Sequence, residues 1–165
     1  YGTLDLSLML NLNRTRMQHI NSNAFGQSLA SAQTIAYLTT ASPRSKIILN
    51  AYWTKDNWDV NIRETRYGQT SSMLSYYDLA PANLQYSTTQ FAPFVNTPVW
   101  LTDLEVGYRV NPHWHFAVGA NNIFNMRPCK VNPVNNYLGA SIYDAHGANI
   151  GFEGAYYYGR INATF

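Results

Sequence analysis

Five leucines set the tightest constraint on this chain. Leu4, Leu6, Leu8, Leu10 and Leu12 occupy alternate positions, and Thr3, Asp5, Ser7, Met9, Asn11 and Asn13 fill the places around them. In a β-strand, residues two apart share a face, whereas a helix would scatter these leucines around its circumference. Leucine by itself favours helix, so here the pattern overrides the propensity. A strand with one wholly apolar face and one polar face belongs at a boundary between an apolar medium and water.

The alternation returns in five further segments. In residues 46 to 54, Ile47, Leu49, Ala51 and Trp53 alternate with Lys46, Asn50, Tyr52 and Thr54, with Ile48 the one apolar residue on the second face. Trp58, Val60 and Ile62 alternate with Asp59, Asn61 and Arg63 over 58 to 67, and Trp100, Leu104, Val106 and Tyr108 with Asp103, Glu105, Gly107 and Arg109 over 99 to 110. Trp114, Phe116, Val118 and Ala120 alternate with His115, Gly119 and Asn121 over 114 to 124. In 155 to 165, Tyr157, Ile161, Ala163 and Phe165 alternate with Tyr156, Tyr158, Arg160, Asn162 and Thr164. Strands of about ten residues suit a tilted bilayer crossing; strands in soluble sheets run to about five or six. On the face of Val60 and Ile62, Glu64 and Arg66 come next. Either a bulge shifts the register after Ile62 or this face leaves the apolar medium early.

The connections carry a second signal. Lys55-Asp56-Asn57 and Asn111-Pro112-His113 are tight turns of the expected chemistry. The other gaps, 14 to 45, 68 to 98 and 125 to 154, are long and rich in Asn, Ser, Thr, Gln, Gly and Pro. Strict alternation of short and long loops is the habit of outer-membrane barrels, whose short turns are periplasmic and long loops extracellular. The first, third and fifth strands then run outward, and Phe165 lies on the periplasmic side. Trp53, Trp58, Tyr108, Trp114 and Phe165 gather at that level as an aromatic girdle.

Composition agrees. Charged residues are 12% of the 165, against about 25% in soluble domains, yet mean hydropathy is only -0.27. No run approaches the roughly 18 apolar residues of a membrane helix. Aromatics reach 15%, with 13 Tyr and 4 Trp. A half-apolar strand with interfacial Tyr and Trp reconciles these values. The net charge of +2, without a basic block, gives no sign of a nucleic-acid partner, and the single Cys129 excludes an internal disulfide framework. The chain begins at Tyr1 without an export signal, so a processed or cut N-terminus is expected. Six strands are also fewer than the roughly eight of the smallest bacterial barrels. The expectation is an all-β, antiparallel transmembrane barrel of which this is a part, its remaining strands coming from earlier in a longer chain.

Several motifs resemble one family. The run from Val118 to Asn125, VGANNIFN, followed by Arg127-Pro128, is similar to the penultimate strand of TonB-dependent outer-membrane receptors. Thr102 to Val110 resembles the strand before it, and Trp58 to Tyr67, leading into Gly68, the one before that. The ending Gly159 to Phe165 resembles the terminal strand, and Tyr157, Gly159, Ile161, Ala163 and Phe165 fit the alternate-residue signal read by the barrel-assembly machinery. The resemblance covers nearly the whole chain. It implies that residues 1–165 are the C-terminal portion, about the last six strands, of a barrel of about 22 strands, with the plug domain and the TonB-contacting box outside them. It implies TonB, the plug, the lipid bilayer and lipopolysaccharide as partners, and active import of a scarce nutrient such as a ferric siderophore or another metal chelate. A passive porin or small structural barrel is the alternative, and a soluble half-buried β-domain a third that leaves the all-leucine face unexplained.

No catalytic order of residues appears. His113 and His115 are two apart, with one in a turn and the other on a polar face, and no zinc, triad or phosphate-loop motif is present. No cofactor and no enzymatic role are expected. The polar face carries Asp5, Lys46, Arg63, Asp103, Glu105, Arg109 and Arg160, either a substrate path or a hydrated wall. Among the loop aromatics, Tyr76, Tyr77 and Tyr143, with His146, are the candidate ligand contacts, able to hold a flat or aromatic ligand by stacking. Packing of the loops against one another is the competing reading.

Overall fold

A computed structural model describes residues 1–26 and 28–165. Six strands form one antiparallel sheet: β1 (Thr3–Leu12), β2 (Ser45–Lys55), β3 (Trp58–Tyr67), β6 (Val99–Asn111), β7 (Trp114–Asn121) and β8 (Tyr156–Ala163), side by side in that order. Two more strands, β4 (Thr70–Leu74) and β5 (Ala92–Asn96), make a separate hairpin, and one helix, α1 (Ala32–Thr39), precedes β2. The six long strands match the six alternating segments, and the two tight turns join β2 to β3 and β6 to β7. In the first, Asp56 takes a φ of 52°, a left-handed conformation that Asp tolerates better than most residues. In the second, Asn111 Oδ1 accepts from the backbone N–H of His113 at 2.9 Å and of Trp114 at 3.0 Å. A register shift between Arg109 and Asn111 accommodates this turn.

The register fixes both faces. Leu6, Ala51, Ile62, Leu104, Ala120 and Tyr157 lie in one row across all six strands, and Leu4, Trp53, Val60, Val106, Val118 and Gly159 in the next. This face is exposed: Leu6 to 73%, Leu8 to 69% and Val118 to 66%. The accessible area is 11126 Å², whereas a compact soluble chain of this 18.7 kDa mass would present about 8300 Å². The sheet is an open wall with no apolar layer packed against it.

β2 and β3 pair without interruption from Lys46–Tyr67 to Lys55–Trp58. No bulge follows Ile62, so Glu64 and Arg66 stay on the apolar face, opposite Leu49 and Ile47 on one side and Thr102 and Trp100 on the other. The Thr102 hydroxyl donates to Glu64 Oε1 at 2.7 Å. The apolar face therefore ends earlier on β3 than on β1 and β2, while β6 has one polar place, Thr102, before Trp100.

Two expectations need correction. The strand foreseen over 114–124 stops at Asn121. Asn122 turns to a φ of 50°, and its side chain exchanges two hydrogen bonds with the backbone of Met126, at 2.8 and 2.7 Å. The NNIF run is thus a strand terminator. The long gaps, in which the sequence reading placed no helix or strand, contain both. The gap 14–45 contains α1, capped by Ser31, whose hydroxyl accepts from Thr34 N, and the gap 68–98 contains the β4–β5 hairpin.

Candidate functional site

The three long connections fold onto one another into a cap at the end of the sheet opposite the two tight turns. Its interior mixes apolar residues such as Leu74, Val131 and Ile150 with buried polar ones. Thr70, Ser72, Asn96, Asp144 and Asn149 are all at most 5% exposed, and burial of such groups is tolerable only where they are hydrogen-bonded. Asn96 Nδ2 donates to Gly147 O at 2.9 Å and its Oδ1 accepts from Cys129 N at 3.1 Å. The Thr70 hydroxyl also donates to Gly147 O, and Ser72 Oγ donates to the Asp144 carboxylate. Asn149 Nδ2 reaches Gly68 O and Thr97 O. On the helix side, Gln33 Nε2 donates to Met73 O at 2.9 Å, and Thr40 Oγ1 to Ser71 O at 2.7 Å. Side chains carried by the hairpin and by the last connection thus satisfy each other's backbone.

A recess of about 140 Å³ opens between α1, β4 and the last connection, with Tyr37, Tyr77, Tyr143, Asp144 and His146 in its wall. The Tyr37 and His146 rings stack at 4.6 Å. Burial, then the nearby Asp144 carboxylate, hold the Tyr37 phenol above its ordinary value. A second recess of about 400 Å³ shares Gln33, Ser75 and Tyr77 with the first and adds Tyr86 and Phe91. Tyr77 meets Tyr86 and Tyr137 edge to face at 5.9 and 5.2 Å. The Tyr86 hydroxyl donates to Asp78, which pushes its pKa up to about 12.

Of the four loop residues singled out from sequence, Tyr77, Tyr143 and His146 meet at the first recess, although they come from two connections. Tyr76 does not join them: its carbonyl accepts from Tyr86 N at 2.9 Å, and its ring lines neither recess. Tyr37, Gln33 and Asp144 were not foreseen; Tyr86 stands among the loop aromatics of the sequence. Ser31 followed by Ala32, Ile35 and Ala36 is a readable helix start that would have placed Gln33 and Tyr37 on one element. Nothing local signals Asp144.

The polar face of the sheet carries a second arrangement. His115 Nε2 lies 2.6 Å from Asp59 Oδ1, although β6 separates their strands. They meet over Gly107, where a Cβ would stand 2.4 Å from Asp59 Oδ2 and 2.5 Å from His115 Nε2. Gly119 does the same for Tyr158, whose ring crosses it so that its hydroxyl donates to Glu105 Oε2 at 2.8 Å. Arg160 binds the other oxygen of Glu105, and Arg63 faces Asp103 at 3.5 Å. Among the described residues, no cluster of three or more metal-ligating side chains occurs. Of the residues read as the insertion signal, Tyr157, Gly159, Ile161 and Ala163 continue the apolar face of β7. Phe165 lies beyond the strand, edge to face with Trp114 at 6.3 Å. Trp58 and Tyr108 meet at 4.7 Å at the same end.

No protein-family model matches the chain, and no curated protein matches it. Solved structures do. A mutant of the ferric enterobactin receptor PfeA from Pseudomonas aeruginosa, in complex with enterobactin, superposes with a TM-score of 0.56 over 98% of this chain and 20% of the receptor, at 18% identity. A second mutant of that receptor gives 0.55 over 99% and 20%, at 17% identity. The chain has the fold of a part of those receptors. At this identity the likeness concerns fold, and the chain spans about a fifth of the receptors it matches.

Proposed function

We propose that residues 1–165 form the C-terminal sector of an outer-membrane barrel, and that the whole protein is a TonB-dependent receptor importing a scarce nutrient, a ferric siderophore or another metal chelate. The observation that carries this reading is the apolar face, continuous over six strands and left uncovered, opposite a polar face with its own ion pairs. In the membrane the apolar face meets lipid and the polar face the barrel interior. The outer edges of β1 and β8 lack partners in this sector; in lipid each unpaired backbone group would cost several kcal/mol, so further strands must close the wall. The family's barrel of about 22 strands, with a plug inside it and a TonB-contacting box, meets that need from chain outside these residues.

Orientation follows from the loops. The tight turns and Phe165 share one end, with Trp58, Tyr108 and Trp114 as an interfacial belt, so that end is periplasmic. The cap is then extracellular, where ligand arrives, and the outer rim of the wall meets lipopolysaccharide. The alternating pattern ending at Phe165 serves the barrel-assembly machinery. No chemistry is asked of this chain; TonB supplies the work through the plug. The test is chelate uptake by cells carrying the gene, against cells lacking it and cells lacking TonB. Uptake lost in both supports the reading. Uptake that persists without TonB points instead to a passive porin.

A further inference from the structure

We propose that the cap selects a metal chelate without net negative charge, one that presents amide, hydroxamate or hydroxyl oxygens to the paired recesses. This rests on the receptor reading above and narrows its ligand. The two recesses share Gln33, Ser75 and Tyr77, and the larger, at about 400 Å³, falls within the size range of small-molecule sites, enough for one arm of a chelate.

Their lining is specific in two ways. First, it contains no Lys or Arg among the described residues; its charged member is Asp144, and Tyr86 at the mouth of the larger recess is bonded to Asp78. Burial, then Asp144, raises the Tyr37 phenol, and the hydrogen bond to Asp78 raises that of Tyr86. Asp144 at the first recess and Asp78 beside Tyr86 are the carboxylates on this surface. An anionic ligand would meet like charge at Asp144, with no guanidinium or ammonium in the lining to offset its desolvation; Lys130, paired with Tyr143, lies outside the lining. Second, the hydrogen-bonding capacity is free. The hydroxyls of Tyr37, Tyr77 and Tyr143 engage no group among the described residues. Gln33 uses its amide nitrogen on Met73 O and Ser75 Oγ, leaving Oε1 open. Open phenol donors suit neutral carbonyl and hydroxamate oxygens, Gln33 Oε1 suits an N–H or hydroxyl, and the Tyr77, Tyr86 and Phe91 faces suit apolar portions between them.

The discriminating probes are two ferric complexes. Three hydroxamates neutralise Fe³⁺ completely, whereas three catecholates leave three negative charges on the complex. Binding of each to the purified full-length protein is measured by tryptophan fluorescence quenching at low and high salt. The expectation is at least tenfold tighter binding of the neutral trihydroxamate complex, little changed by salt, and weakened by Tyr77→Ala. The paired variant Asp78→Lys, at the rim, should raise affinity for the tris-catecholate complex. Tighter binding of the tris-catecholate complex by the unaltered protein, falling steeply with salt, would overturn this inference and leave the receptor reading standing. Binding of neither complex, together with uptake that does not need TonB, would overturn both.

Discussion

Gly119 offers a sharp test of the wall's polar face. A Cβ added there would stand 2.5 Å from Tyr158 Cζ and 2.6 Å from its hydroxyl, closer than nonbonded atoms approach. The ring must swing aside in Gly119→Ala, and its 2.8 Å hydrogen bond to Glu105 breaks. A hydrogen bond to a charged group is worth about 1.5–3 kcal/mol. Against this, replacing Gly within a strand returns about 0.5–1 kcal/mol of backbone entropy. The net expectation is destabilisation by about 1–2 kcal/mol, read by urea unfolding of the full-length protein refolded into phospholipid vesicles. The cost belongs to the ring, so it should disappear in a Tyr158→Ala background, where Gly119→Ala becomes neutral or slightly stabilising. The coupling in the double-mutant cycle is then the hydrogen-bond loss itself, about 1.5–3 kcal/mol. Equal costs in both backgrounds would refute the idea that Gly119 exists to let Tyr158 cross.

Other consequences are as direct. Leu6→Arg places a charge on a side chain already 73% exposed: a soluble sheet would tolerate it, whereas in a bilayer it should cost up to about 2–4 kcal/mol, measured by the same unfolding assay. Asn96→Ala removes a side chain that is 1% exposed, leaves Cys129 N without its acceptor and takes one of two donors from Gly147 O; hydrogen exchange should quicken across the cap while the six-stranded sheet keeps its protection. In Tyr86 the neutral phenol is the favoured folded form, since its pKa of about 12 lies above the ordinary 10.0. Its contribution is therefore present below about pH 10 and is lost as pH rises through about 12. Phenolate absorbance in Asp78→Asn should show Tyr86 ionising nearer 10.0; an unchanged titration would remove Asp78 as the cause.

The sequence by itself determined the wall. Whether a residue meets an apolar or an aqueous medium depends on its parity along the strand, so Leu4 to Leu12, or Trp114 to Ala120, declare their faces with no partner known. The tight turns announce themselves as locally, through Asp56-Asn57 and Asn111. Only the tertiary structure decided the cap and the crossings on the polar face. The buried side of β4 is Thr70, Ser72 and Leu74, which has no apolar alternation to betray it; those hydroxyls are stable there because Gly147 and Asp144, more than 70 residues away, receive their hydrogen bonds. Tyr37 and His146 stack, and Asp59 reaches His115 over Gly107, for the same reason. These contacts join residues 56 or more apart in sequence, and register across strands, which no single strand encodes, is what brings them together.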